Sequence, residues 1–196
     1  MEKFSSEYWD QHYTQNRTGW DIGHISTPLK TYFDQLEDKS LNILIPGAGN
    51  AYEVEHLFHQ GFTNTHLLDF SDQSILNFLS RCPDFPVNQI IKQDFFEHHG
   101  QYDLIVEQTF FSSIPPEKRH LYAQQVNDLL KPGGKLAGLL FSHEFEYAGP
   151  PFGGTKAAYR SLFSEHFIIE ILDIATNSIK PRQNRELFIK LRKKSA

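Results

Sequence analysis

Leu41-Asn42-Ile43-Leu44-Ile45-Pro46-Gly47-Ala48-Gly49 is the stretch that decides the fold. Its apolar run is too short for a helix and exits into glycine, so it reads as a buried parallel strand. Over residues 50–61 the spacing changes: Val54, Leu57 and Phe58 recur at helical intervals, and Gly61 supplies a stop. His66-Leu67-Leu68-Asp69 reads as a second strand, ending in a carboxylate. That acid falls about 20 residues beyond the first glycine. Strand, glycine loop, helix, strand and terminal acid form the first half of a nucleotide-binding α/β fold.

The residue types suit that role. Without a Cβ, Gly47 and Gly49 let the loop turn sharply and let a ligand approach the backbone. A carboxylate at Asp69 sits at the open edge of the sheet, where it accepts hydrogen bonds from ribose hydroxyls. The alternative is a tight turn in which Asp69 or Ser71 caps the next helix. A dinucleotide fingerprint, G-x-G-x-x-G, needs a third glycine where this chain has Tyr52. The pattern therefore favours an adenosine ligand without a pyrophosphate, S-adenosylmethionine being the candidate. It disfavours a nicotinamide-dependent oxidoreductase, for which the length also leaves little room.

With 196 residues the chain is expected to be one domain over 1–196. Residues 1–40 are read as an N-terminal helical lid and 41–196 as the core. The net charge of −5 gives no reason to expect nucleic acid, and Arg192-Lys193-Lys194 reads as a solvated tail. One cysteine, Cys82, excludes an intrachain disulfide and suits a reducing compartment. No run approaches a membrane span, and the first residues lack signal-peptide character, so a cytoplasmic protein is expected. Aromatic residues make up 14% of the chain, with 17 phenylalanines, more than a small core requires; some of the rings are expected to line a pocket.

Around the nucleotide motif, Trp9 and Tyr13 share one face of a first helix, Trp20 follows in a turn, and Pro28 starts a second helix. These rings either pack the N-terminal helices onto the sheet or form a lid whose faces attract a sulfonium. A helix through Ile75 and Leu79 precedes a third strand over residues 87–92, and Asp94-Phe95 then falls where a loop can meet an adenine. His98-His99 reads as exposed and, like His56 and His59, lacks metal-ligand spacing, so no metal is expected. A fourth strand over 102–107 ends in the acid Glu107, and Gln108 begins the segment that leaves it. A helix after Pro115-Pro116 stops at Gly133, its expected C-terminal glycine, and a fifth strand covers 135–142. After a Gly- and Pro-rich loop over 143–155 come a helix over 156–166, a strand over 167–174 and a last strand over 186–191. The pattern amounts to one sheet of about seven strands.

Several dispersed motifs then resemble one family. Thr18-Gly19-Trp20-Asp21, Ile45-Pro46-Gly47-Ala48-Gly49, Asp94-Phe95-Phe96, the run 103–119, Gly149-Pro150-Pro151-Phe152 and Pro181-Arg182-Gln183-Asn184-Arg185-Glu186 are similar to the thiopurine S-methyltransferase superfamily, on its thiol and halide methyltransferase side. The resemblance spans residues 9–194. It implies a Rossmann-like class I methyltransferase fold: a seven-stranded, mostly parallel sheet with an antiparallel last strand and helices on both faces. It also implies S-adenosylmethionine as methyl donor. By resemblance, Trp9, Tyr13 and Trp20 surround the methionine end of the cofactor, Gly47 and Gly49 form its loop, and Asp69 meets the ribose. Asp94 and Phe95 lie near adenine, and Gln108 also touches the cofactor. Ala48 replaces a common cysteine, Ala51 a frequent glycine, Tyr13 a tryptophan, and Gln108 a tyrosine or arginine.

The resemblance implies SN2 transfer to a small soft nucleophile such as a thiol, halide or related sulfur or selenium acceptor. Alignment and exclusion of water are then the protein's main tasks. No residue is an obligatory base; Glu107 and Tyr147 are candidates. Arg160, Arg182 and Arg185 are candidates to steer an anion, and Phe110, Phe111 and Phe152 to form an aromatic acceptor pocket. A non-catalytic cofactor-binding protein of the same fold is the other reading. The acceptor and the oligomeric state are left open.

Overall fold

A computed structural model describes residues 4–194; residues 1–3, part of the stretch read as lacking signal-peptide character, and 195–196 lie outside the described residues. Two helices, α1 (Ser6–Thr14) and α2 (Thr27–Phe33), precede the first strand. The sheet comprises β1 (Ile43–Pro46), β2 (Thr65–Asp69), β3 (Ile90–Lys92), β4 (Tyr102–Gln108), β5 (Leu130–Phe141), β6 (Phe167–Ile174) and β7 (Glu186–Lys193). Helices α3 (Tyr52–His59), α4 (Asp72–Arg81), α5 (Arg119–Leu129) and α6 (Lys156–Phe163) connect them. The strand order is β3-β2-β1-β4-β5-β7-β6. The first five strands pair in parallel, and β7 runs antiparallel to both β5 and β6.

The pleat sorts alternate residues to opposite faces. Leu44 and Ile105 join Tyr122, Val126 and Phe163 on the side of α5 and α6. Ile43, Ile45, Leu104 and Val106 join Leu29, Phe33, Val54, Leu57 and Phe78 on the side of α2, α3 and α4. Every residue of β1 is buried, as its unbroken apolar run required.

Three local expectations are corrected. Gly133 does not end a helix: α5 stops at Leu129, and Gly133, at φ +75°, lies within the β5 run. There the register moves from Tyr102↔Leu130 to Leu104↔Lys135, so the glycine serves a bulge. The third strand is shorter than 87–92, because Val87–Gln89 is a 3-10 turn behind Pro86. His98 is buried, with its Nε2 2.7 Å from the Tyr102 hydroxyl, whereas His99 is exposed. Among the described residues no helix is long and apolar enough to cross a membrane.

Candidate active site

A cavity of about 830 Å³ opens where β1, β2 and β4 end, the edge at which ligands bind in such sheets. Its volume suits a cofactor-sized molecule, for which sites of roughly 300–1,000 Å³ are usual. Trp9, Tyr13, Trp20, Gly47, Gly49, Asp69, Asp94, Phe95 and Gln108 all border it.

The loop after β1 is built from left-handed residues: Gly47 has φ +55°, Gly49 φ +56° and Ala51 φ +56°. Both glycines are demanded by rings as well as by the turn. A Cβ on Gly47 would lie 2.2 Å from the Phe110 ring, and one on Gly49 would lie 2.6 Å from the Tyr13 hydroxyl. Ala51 holds the same backbone region at a steric cost to its methyl group.

Asp69 orders this loop directly. One carboxylate oxygen accepts the Gly49 N–H at 2.8 Å and the other accepts the Ser71 N–H at 2.9 Å. Burial raises its pKa, and these two backbone donors oppose the rise. Ser71 itself caps α4, its hydroxyl accepting from the Ser74 N–H. Asp69 therefore braces two backbones where it borders the cavity.

The roof is aromatic. Trp9 meets Trp20 edge to face at 5.3 Å, and Tyr13 meets Trp20 in the same way at 5.7 Å. Burial, with the nearby Asp69 charge, pushes the Tyr13 phenol well up and keeps it neutral. Polar contacts hold α1 in place: the Ser6 hydroxyl donates to the Phe70 carbonyl, and Asp10 accepts from the Ser71 hydroxyl and the Gln73 N–H. The Trp20 carbonyl accepts from the Arg182 guanidinium, which is also paired with Glu186 at 3.2 Å. Asp21 accepts from the Asn50 amide and from the Gly23 N–H.

At the opposite wall Asp94 caps a 3-10 turn, accepting the Phe96 N–H at 2.8 Å, and Phe95 is a core ring packed on Phe110 and Tyr122. The Oε1 of Gln108 is buried with no hydrogen-bond partner among the described residues. Thr109 follows at φ +63°, a strained conformation for a β-branched residue and the kind of strain stored beside functional sites.

Glu107 does not face the cavity. It is fully buried, accepts from the Phe111 N–H and from the Tyr122 hydroxyl, and burial pushes it up to about 7. It secures the turn after β4, and nothing places it beside a reacting atom. Phe111, Phe152 and Arg160 likewise do not border the cavity, whereas Phe110, Tyr147, Arg182 and Arg185 do. Arg119 explains Phe152: its guanidinium donates to the Phe152 and Gly153 carbonyls, fastening that segment to α5.

Comparison with known proteins agrees with this geometry. The family model for thiopurine S-methyltransferase (TPMT) matches residues 4–194. The chain belongs to the thiopurine S-methyltransferase family. A relative named probable thiol methyltransferase 2, from Arabidopsis thaliana, is 30% identical over all of this chain and 88% of its own length. Thiocyanate methyltransferase 1 of Brassica oleracea is 27% identical over 79% of this chain and 70% of its own. Among solved structures, Burkholderia thailandensis 1,6-didemethyltoxoflavin-N1-methyltransferase with bound S-adenosylhomocysteine aligns with a TM-score of 0.77 at 16% identity. That alignment covers 97% of this chain and 87% of the other, and it shows the shared fold. The chain is thus an S-adenosylmethionine-dependent methyltransferase of this family, and a nicotinamide-dependent oxidoreductase is set aside. The residues present suit that cofactor: a ring cluster offers faces to a sulfonium, and the orphaned Gln108 oxygen offers an acceptor to an ammonium donor.

Proposed function

We propose that the chain methylates a small, soft sulfur nucleophile, a thiol or thiocyanate, with halide as a further acceptor of the same kind. The observation that carries this reading is a ring-walled cavity with a cation at its border. Arg182 is committed to Glu186 and the Trp20 carbonyl, but among the described residues the Arg185 guanidinium donates only to the His143 ring, at 2.8 Å. Its charge is therefore available to a polarizable anion. S-adenosylmethionine supplies a methyl group already activated on a sulfonium. The protein's residues align and enclose the reactants.

In this reading Trp9, Tyr13 and Trp20 hold the sulfonium against ring faces. The Gly47–Gly49 loop and Asp69 receive the ribose, and Asp94 and Phe95 flank adenine. Gln108 accepts from the cofactor's amino group. Residues 4–194 act as one unit in which α1 and the Trp20 segment close over the core, and a cytoplasmic setting suits the single cysteine.

Turnover measured by mass spectrometry on an alkyl thiol, thiocyanate, iodide, an amine and an alcohol tests the acceptor. Methylation of the sulfur acceptors and not of the amine or alcohol is expected. Methylation of the amine or alcohol with no sulfur product would overturn the reading.

A further inference from the structure

A thiol must lose its proton to react, and of the two candidate bases Glu107 lies away from the cavity while Tyr147 borders it as an exposed side chain. Glu107 is turned into the core, the bordering carboxylates of Asp21, Glu53, Asp69 and Asp94 already accept from main-chain or amide donors, and Glu117 is exposed in the 3-10 turn Pro116–Lys118. His12 is different. Its Nδ1 lies 2.8 Å from the Tyr8 carbonyl oxygen, an atom that only accepts. In the neutral ring Nδ1 therefore carries the hydrogen and Nε2 the lone pair. Among the described residues no hydrogen-bond partner occupies Nε2, and His12 borders the cavity.

Its position fits proton transfer next to the sulfonium. The imidazole centre is 5.9 Å from Trp9 and 5.9 Å from Trp20, the two rings that meet edge to face at the roof. Tyr8, at 4.4 Å, is its third ring neighbour, and none of the three is a carboxylate, lysine or arginine. Asp10, on the same helix, ties α1 to the start of α4, and the Tyr8 carbonyl fixes the ring through Nδ1.

We propose that His12 is the catalytic base for thiol acceptors, a role that rests on the sulfur-acceptor reading above. The thiol proton passes to Nε2, and the sulfur lone pair forms the new S–CH3 bond. The electrons of the broken methyl–sulfonium bond stay on the donor sulfur, which leaves as a neutral thioether. The positive charge ends on the imidazolium, which loses its proton to solvent.

The test compares His12→Gln with wild type on an alkyl thiol and on thiocyanate, an anion with no proton to lose. A thiol of pKa about 8.5 is only a few per cent thiolate at pH 7. The ratio of kcat/KM for the thiol to that for thiocyanate should therefore fall about 30-fold at pH 7 and recover above the thiol pKa. The ratio cancels any loosening of the ring cluster by the substitution. An unchanged ratio overturns the role of His12. Thiocyanate turnover without thiol turnover in the wild type removes the thiol reading itself. Independently, nitrogen NMR of the free protein should show His12 protonated at Nδ1, and a ring protonated at Nε2 would overturn the proposal.

Discussion

Two short helices stand side by side in the sequence before β1 and are anchored by opposite means. Helix α2 places Leu29 and Phe33 in the core, both almost wholly inaccessible to solvent. Helix α1 buries no residue fully; it rests on Ser6, Asp10 and a set of rings whose other side is the cavity. Apolar burial stabilises α2 whether or not a ligand is present. Polar contacts at a surface contribute less, so α1 depends more on what fills the cavity beneath it. Stability resides in the sheet and its packed helices, and in the proposed reading the sulfonium end of the cofactor meets a lightly held roof.

The largest expected effect lies on the packed side. Phe33→Ala should cost roughly 3–5 kcal/mol of unfolding free energy. Denaturant titration reads this, with S-adenosylhomocysteine affinity nearly unchanged well below the transition. A loss as large from truncating a ring of α1 would erase the contrast.

Next is Glu107, also on the packed side. Its folded pKa, raised to about 7, exceeds the ordinary carboxyl value of 4.5. The folded state holds the proton more tightly, so this contribution is fully present below about pH 4.5 and is lost as pH rises to about 7. The difference in stability between wild type and Glu107→Gln should change by on the order of 3 kcal/mol across that window. A flat difference would mean that Glu107 is ionised without penalty.

The smallest effect belongs to the roof. Trp9→Ala should leave the free protein's melting temperature almost unaltered while weakening S-adenosylmethionine binding about 2- to 30-fold, the span of a cation–π contact. Binding of uncharged S-adenosylhomocysteine should weaken less. Calorimetry with both ligands gives the comparison, and equal losses would show that Trp9 serves packing alone.

The nucleotide-binding half was legible because its signals are local. The all-apolar β1, the left-handed Gly47 and Gly49, and the acid closing β2 each follow from a few adjacent residues. Gly133 misled for the same reason: a glycine after a helical run looks alike as a cap or as a bulge, and only pairing with β4 distinguishes them. His98 reads as a polar surface residue until Tyr102 is folded against it. His12 and Asp10 gave no signal at all, since neither belongs to a spaced motif and their partners are set by helix geometry and by α4.

By itself, the amino-acid sequence determined the αβ alternation, the glycine loop and the family, because backbone conformation and side-chain periodicity are properties of neighbouring residues. Tertiary structure alone decided that Asp69 braces the loop and borders the cavity while Glu107, also a strand-end acid, is sealed against Tyr122. Both acids close apolar strands, but the pleat and the helix packed above each one choose which way its carboxylate faces.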